Sequence, residues 1–238
     1  MDEPENVKVV LLGESGVGKT SIITQFTTNQ FNPRCPTSVS AQFTSKIVKF
    51  PQFDKSIKFD IWDTVGQEKY RSLAKIFYKD AKIIILVYDI TTDFSFKALK
   101  DFWYKETLNF ADNDPIFAIV ANKTDLYEKQ TVDNKDGKAF AEEINALFQT
   151  TSALSNSGIN NLFENLGKKI IIPNYDYKKN NQKLEEEYLK QIKEEKKWKK
   201  KDKGVKINNE GTKEKGNKQK CCWFFISSFL EYFIKSKV

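Results

Sequence analysis

Short apolar runs alternate along the chain with stretches of helical spacing. Val7–Leu12 is apolar apart from Lys8 and reads as a buried strand, and Gly18–Thr28 reads as a helix that begins at a glycine loop. Ala41–Phe50 and Ile57–Trp62 alternate in character, joined by Pro51-Gln52-Phe53-Asp54-Lys55-Ser56 as a hairpin-like connection. Ile83–Tyr88 and Ile116–Ala121 are continuous apolar runs of strand length. Phe94–Phe110 and Lys135–Leu147 have helical spacing, Phe148–Thr151 is a short strand, and Ile159–Ile172 a last helix. Strands alternating with helices predict an α/β fold: a mostly parallel six-stranded sheet with helices on both faces and one antiparallel edge made by the hairpin.

Beyond Pro173 the pattern stops. Asn, Lys and Glu dominate to Lys220, and apolar residues become sparse. The expected organisation is a globular domain over residues 1–173, a mostly disordered Lys-rich tail over 174–220, and a Cys-Cys pair with a short apolar extension over 221–238. Within the tail, Lys183–Lys201 has the makings of a transient charged helix.

Charge follows the same division. The formal net charge is +7, yet Lys178–Lys220 alone carries +8 and residues 1–177 carry −2. The basic balance belongs to the tail, so the folded body lacks the basic face of a nucleic-acid-binding domain, and no nucleic-acid partner is expected. Histidine is absent. That excludes imidazole bases, Ser–His–Asp triads and His-ligated zinc. Cys35, Cys221 and Cys222 are the three cysteines and make no disulfide framework, which suits a reducing compartment. The first residues are acidic without an apolar run, so no signal peptide is expected, and no run is long enough for an ordinary membrane span.

Gly13-Glu14-Ser15-Gly16-Val17-Gly18-Lys19-Thr20 fits the G-x-x-x-x-G-K-[ST] phosphate loop, after a predicted strand and at the start of a predicted helix. Gly13 and Gly18 let backbone N–H groups face phosphate oxygens, and the helix N-terminus adds partial positive charge. Lys19 is expected to reach the β- and γ-phosphates. The Thr20 hydroxyl is expected to ligate Mg²⁺, which prefers oxygen. This loop points to a nucleoside triphosphate without choosing the base.

Asn122-Lys123-Thr124-Asp125 follows a buried strand. A carboxylate there can accept both the N1–H and the exocyclic N–H of guanine, a donor pair adenine lacks on that edge. Asn122 would brace the loop and the Lys123 stem would cover the base. Thr151-Ser152-Ala153 is the second candidate base loop, offering backbone N–H groups to the guanine carbonyl oxygen. Trp62-Asp63-Thr64-Val65-Gly66-Gln67-Glu68 ends the third strand. Asp63 is placed to hold the magnesium shell through water, the Gly66 N–H to sense the γ-phosphate, and Gln67 to orient the attacking water.

With four motifs in this order, residues 6–172 resemble the Ras superfamily and within it the Rab family. Lys69-Tyr70-Arg71-Ser72-Leu73, Phe77-Tyr78-Lys79-Asp80-Ala81 and Val87-Tyr88-Asp89-Ile90-Thr91 are similar to Rab segments. The resemblance implies a phosphate-loop G domain that binds GTP with Mg²⁺, hydrolyses it slowly and works as a molecular switch in vesicle-mediated traffic. It adds Ser21 and Leu154 to the nucleotide contacts, Phe31 against the guanine and Ser38 as the switch hydroxyl on Mg²⁺; Thr37 serves instead if the loop shifts by one residue. Phe43, Trp62 and Tyr78 resemble the aromatic effector surface of Rabs. The switches would be about residues 31–45 and 64–78. Implied partners are an exchange factor, a GTPase-activating protein that supplies an arginine finger, a GDP-dissociation inhibitor or escort protein, and effectors; the chain itself would be monomeric.

Two departures from the family bear on activity. Ser38 lacks the methyl of the usual Thr, and about 0.8 kcal/mol of methyl burial goes with it. Val65 replaces the usual Ala beside the γ-phosphate. Overpacking of about 1–3 kcal/mol there would slow hydrolysis roughly 5- to 150-fold. That leaves a rival reading as a GTP-loaded scaffold that hardly hydrolyses. A kinase or ATPase on the same loop is a second rival, against which Asp125 argues.

Gln219-Lys220-Cys221-Cys222 resembles the doubly geranylgeranylated end of a Rab. Two chains, with the Lys-rich tail near anionic lipid, would hold the protein on the cytoplasmic face of endomembranes, cycling with the cytosol. Trp223–Val238 continues past the cysteines, and Lys-Ser-Lys-Val is no prenylation box. Two accounts stand. Either the extension is an interfacial anchor beside palmitoylated cysteines, or it is read-through of a TGA codon, which means stop in most genetic codes and Trp in some.

Overall fold

The structure, a computed structural model, describes residues 3–33, 41–64, 77–110, 114–172, 174–176 and 182–202. Its strands are β1 (Glu5–Leu12), β2 (Gln42–Phe50), β3 (Lys55–Asp63), β4 (Ile83–Asp89), β5 (Ile116–Asn122) and β6 (Leu147–Thr150). Its α-helices are α1 (Lys19–Thr28), α2 (Asp93–Ala98), α3 (Lys105–Phe110), α4 (Asn134–Glu143), α5 (Ile159–Ile171) and α6 (Gln182–Asp202). A π-helical turn, Leu99–Tyr104, joins α2 to α3.

The strands lie in the order β2-β3-β1-β4-β5-β6, and only β2 runs antiparallel to its neighbour. Central strands must be apolar on both faces, and all seven residues of β4 are buried. Alternation along β1 sends Val9 and Leu11 to one core and Val10 and Leu12 to the other. The first core packs Ile22 and Phe26 of α1 against Leu162, Phe163 and Leu166 of α5, with the Phe26 and Phe163 rings stacked at 3.6 Å between centroids. The second packs Leu99 and Trp103 of the helical connection and Phe140 of α4 under the other face.

Parallel strands end on one side, and their register sets which ends meet. Leu11 stands opposite Asp63, and Asp89 opposite Asn122. The loops that follow β1, β3, β4 and β5 therefore share one rim of the sheet, where α/β folds place ligands.

Three expectations change. The helix expected over Lys135–Leu147 ends at Glu143, because Asn145 takes a left-handed conformation (φ 53°) and reverses the chain into β6. The helix expected over Phe94–Phe110 is interrupted by the π-helical turn. The Lys-rich tail, expected to be mostly disordered from residue 174 with a transient charged helix over Lys183–Lys201, carries α6 there, and the helix is docked on the domain rather than free. Leu184, Tyr188, Leu189 and Ile192 fall on one helical face and pack against the first core, Tyr188 edge-on to Phe53 at 5.8 Å, and Lys168 pairs with Glu185 at 3.2 Å. Residues to Glu194 thus belong to the sheet's own compact unit. A four-residue apolar stripe within a Lys/Glu-rich segment is too sparse to register in composition, and only a surface to dock on makes it count.

Candidate functional site

The phosphate loop closes back on the sheet rim. Gly13 has φ 143°, and a Cβ there would sit 2.2 Å from the Val87 carbonyl oxygen; Gly18 has φ 100°, and its Cβ would sit 2.4 Å from Asn122 Nδ2. Both positions require the left-handed region and a close approach that only glycine allows. Lys19, 5% exposed, folds over the loop: its Nζ donates to the Gly13 oxygen at 2.8 Å and the Glu14 oxygen at 2.9 Å. Burial pushes its ammonium down to about 8, while Asp63 and Glu14 pull the other way. The loop thus holds a desolvated cation among carbonyls, in the position where a phosphate would relieve it.

At the mouth of the loop the Thr20 hydroxyl donates to Asp63 Oδ2 at 2.5 Å. Thr64 Oγ1 donates to the Leu11 oxygen at 2.6 Å and fixes the end of β3 to β1 beneath that pair. Among the described residues no cluster of three His, Cys, Asp or Glu side chains could hold a metal. A hydroxyl and one carboxylate, with the remaining ligands left to phosphate and water, is an oxygen set that suits Mg²⁺.

The base side is built around Asn122, 1% exposed at the end of β5. Its Nδ2 donates to the Val17 oxygen of the phosphate loop at 2.8 Å, and its Oδ1 accepts from Thr151 Oγ1 at 3.0 Å. One side chain so ties the phosphate loop to both base loops. The Thr124 N–H also donates to the Thr151 oxygen at 3.1 Å. Ser152 Oγ donates to Asp125 Oδ1 at 2.5 Å and accepts from the Ser155 N–H at 3.2 Å, which fixes the carboxylate's orientation. Lys123 takes a left-handed conformation (φ 65°), and its ammonium pairs with Asp89 at 2.7 Å, stretching its stem along the site. Ala153 is buried and Leu154 is 56% exposed beside it.

The expected residues of the phosphate loop, Asp63, Asn122, Lys123, Asp125 and the 152–154 loop therefore converge on one rim. Ser21 and Phe31 are half-buried nearby in sequence, and Phe31 packs on the first core. Ser38, Val65, Gly66, Gln67, Cys221 and Cys222 lie outside the described residues, as do Cys35 and the 223–238 extension.

Tyr78 is a correction. The expected surface trio included it, but it is 1% exposed in the second core. Its half-buried neighbour Phe77 packs at the edge of the same core, 5.6 Å from Trp62, which in turn lies 5.2 Å from the 54%-exposed Phe43. Adjacent aromatic residues look alike in sequence, and only packing says which is inside.

Supporting residues escaped the sequence reading. Asp89 carries no local sign that Lys123 will reach it. Trp103 reads as an ordinary apolar-face residue, yet its Nε1 donates to Glu14 Oε1 in the phosphate loop at 2.9 Å.

Known proteins agree with this geometry. A model of the Ras family matches residues 8–172. The chain is 39% identical over 164 residues to the human protein named Ras-related protein Rab-22A, covering 69% of this chain and 83% of that relative. This chain belongs to the Ras family, as a Rab-like small GTPase. Proteins of this family are GTP-binding switches, generally hydrolyse GTP and use Mg²⁺ to do so.

Proposed function

We propose that this protein is a Rab-like switch of vesicle-mediated membrane traffic that binds GTP, hydrolyses it slowly and presents two loops, about 31–45 and 64–78, to its partners. The observation that carries the reading is the Asn122 bridge, which holds a phosphate loop and a guanine-reading carboxylate in one fixed relation. Lys19 lies ready to exchange its carbonyl partners for phosphate oxygens. Thr20 and Asp63, with Ser38 from the first switch, would hold Mg²⁺, which screens phosphate charge. Gly66 would sense the γ-phosphate, and Gln67 would orient a water for in-line attack on it. Intrinsic turnover is then on the order of 10⁻⁴ per second, and an arginine from an activating partner raises it up to about 10⁵-fold.

Phe43, Trp62 and Phe77 form a continuous aromatic row that suits an apolar effector face, with Phe77 in the place first given to Tyr78. Geranylgeranyl chains on Cys221 and Cys222 would supply the membrane anchor. The test is nucleotide retention: the purified chain with Mg²⁺ should hold GDP and GTP and discriminate against ATP, and Asp125→Asn should lose that preference. Equal retention of ATP and GTP by the wild type would overturn the reading. Tagged protein with and without Cys221 and Cys222 tests the membrane step, which fails if both distribute alike.

A further inference from the structure

Glu14 puts a carboxylate into the phosphate loop. The residue is 8% exposed, in the same loop whose carbonyls hold Lys19. A carboxylate beside a phosphate site repels the ligand unless something turns it away and stabilises it there. Trp103 does this from the second core: its ring is fully buried, and its Nε1 donates to Glu14 Oε1 at 2.9 Å across 89 residues of sequence. The indole N–H is a donor only, so its direction is fixed by the ring. Trp103 stands in the π-helical turn Leu99–Tyr104. Such turns are rare and are frequent at functional sites, and here the turn carries the donor that reaches the loop. The rest of the ring is held by the second core, with Phe102 edge-on at 5.1 Å.

We propose that Trp103 is a positioning residue for nucleotide retention: its indole N–H anchors the Glu14 carboxylate, sets the phosphate loop in its binding shape and couples that shape to the π-helical turn. This rests on the reading of the site as a GTP site. Loss of this hydrogen bond loosens Gly13 and Glu14, whose carbonyls position Lys19. The effect falls on how long nucleotide stays bound more than on the chemistry of water attack, which depends on groups from the switches.

The full-length chain is loaded with N-methylanthraniloyl-GDP in Mg²⁺, and release is followed for wild type, Trp103→Phe, Glu14→Met, Glu14→Gln and the Trp103→Phe/Glu14→Met double variant. Trp103→Phe keeps an apolar ring without the donor, so release should speed up about tenfold to hundredfold, as for a buried hydrogen bond to a charged group. Single-turnover hydrolysis should change by a smaller factor. Glu14→Met should match Trp103→Phe, the double variant should be no faster than the single ones, and Glu14→Gln, which keeps an acceptor, should release more slowly than Glu14→Met. Multiplying effects in the double variant, or a lowered melting temperature with unchanged release, would overturn the proposal. Should Trp103→Phe fail to fold, the Glu14→Met and Glu14→Gln pair decides by the same comparison. Wild type that fails to retain the nucleotide overturns the GTP reading and this proposal together; wild type that retains it while Trp103→Phe releases it at the same rate overturns this proposal alone.

Discussion

Replacing Asn122 by Ala removes a buried side chain. The Nδ2 donor to the Val17 oxygen (2.8 Å) and the Oδ1 acceptor for Thr151 (3.0 Å) go together. A neutral hydrogen bond contributes about 1 kcal/mol net, and a buried partner left behind costs about 1–3 kcal/mol. Thr151 is fully buried, so its hydroxyl is such a partner. The sum is about 2–4 kcal/mol, allowing for some relaxation into the space vacated. The bonds join segments that a nucleotide must hold in register: phosphates against Val17, base against the 124–125 and 151–153 loops. The loss should therefore appear in binding, as an increase in the GDP dissociation constant of about 30- to 1000-fold. Thr151→Val removes only the second bond and should show the smaller part of the effect. Displacement kinetics with a fluorescent GDP analogue, alongside thermal unfolding of the same preparations, measures both. A folded Asn122→Ala protein that releases GDP within twofold of the wild-type rate would refute the argument that this side chain carries the coupling.

Ser152→Ala removes the hydroxyl that orients Asp125, and the dissociation constant for GDP should rise about five- to tenfold, read by calorimetry, with the preference for guanine over adenine retained. Val65→Ala, which restores the Ala usual in the family, should raise intrinsic hydrolysis roughly 5- to 150-fold in a single-turnover assay; equal rates would remove the overpacking account. Ending the chain after Asn181 strips α6 from the first core, and thermal unfolding should show a loss of about 1–3 kcal/mol once helix ordering is set against the burial of Leu184, Tyr188, Leu189 and Ile192. An unchanged melting temperature would mean the helix contributes nothing to the fold. Chelation of Mg²⁺ should speed GDP release from the wild type, and less so from Thr20→Ala, because without the Thr20 hydroxyl the site holds the cation weakly from the start.

The alternation of apolar runs and helical spacing by itself determined the six strands, the covered parallel sheet and its antiparallel edge, because burial on one face or two writes a period into the chain. The phosphate loop and Asn122–Asp125 were legible for a related reason: their chemistry lies in contiguous residues whose backbone and spacing do the work. Sidedness and reach were not legible. Phe77 and Tyr78 are neighbours of the same kind, and only the core beneath them turned one inward and left the other beside Trp62. Trp103 finds Glu14 across 89 residues and Asn122 finds Val17 across 105, contacts fixed by strand register and by the packing of helices on the sheet. The stripe on α6 gained meaning only from the face it docks on. Local sequence sets what each segment prefers to be; which side chains meet depends on how distant segments are brought together, and that free energy is shared by the whole core.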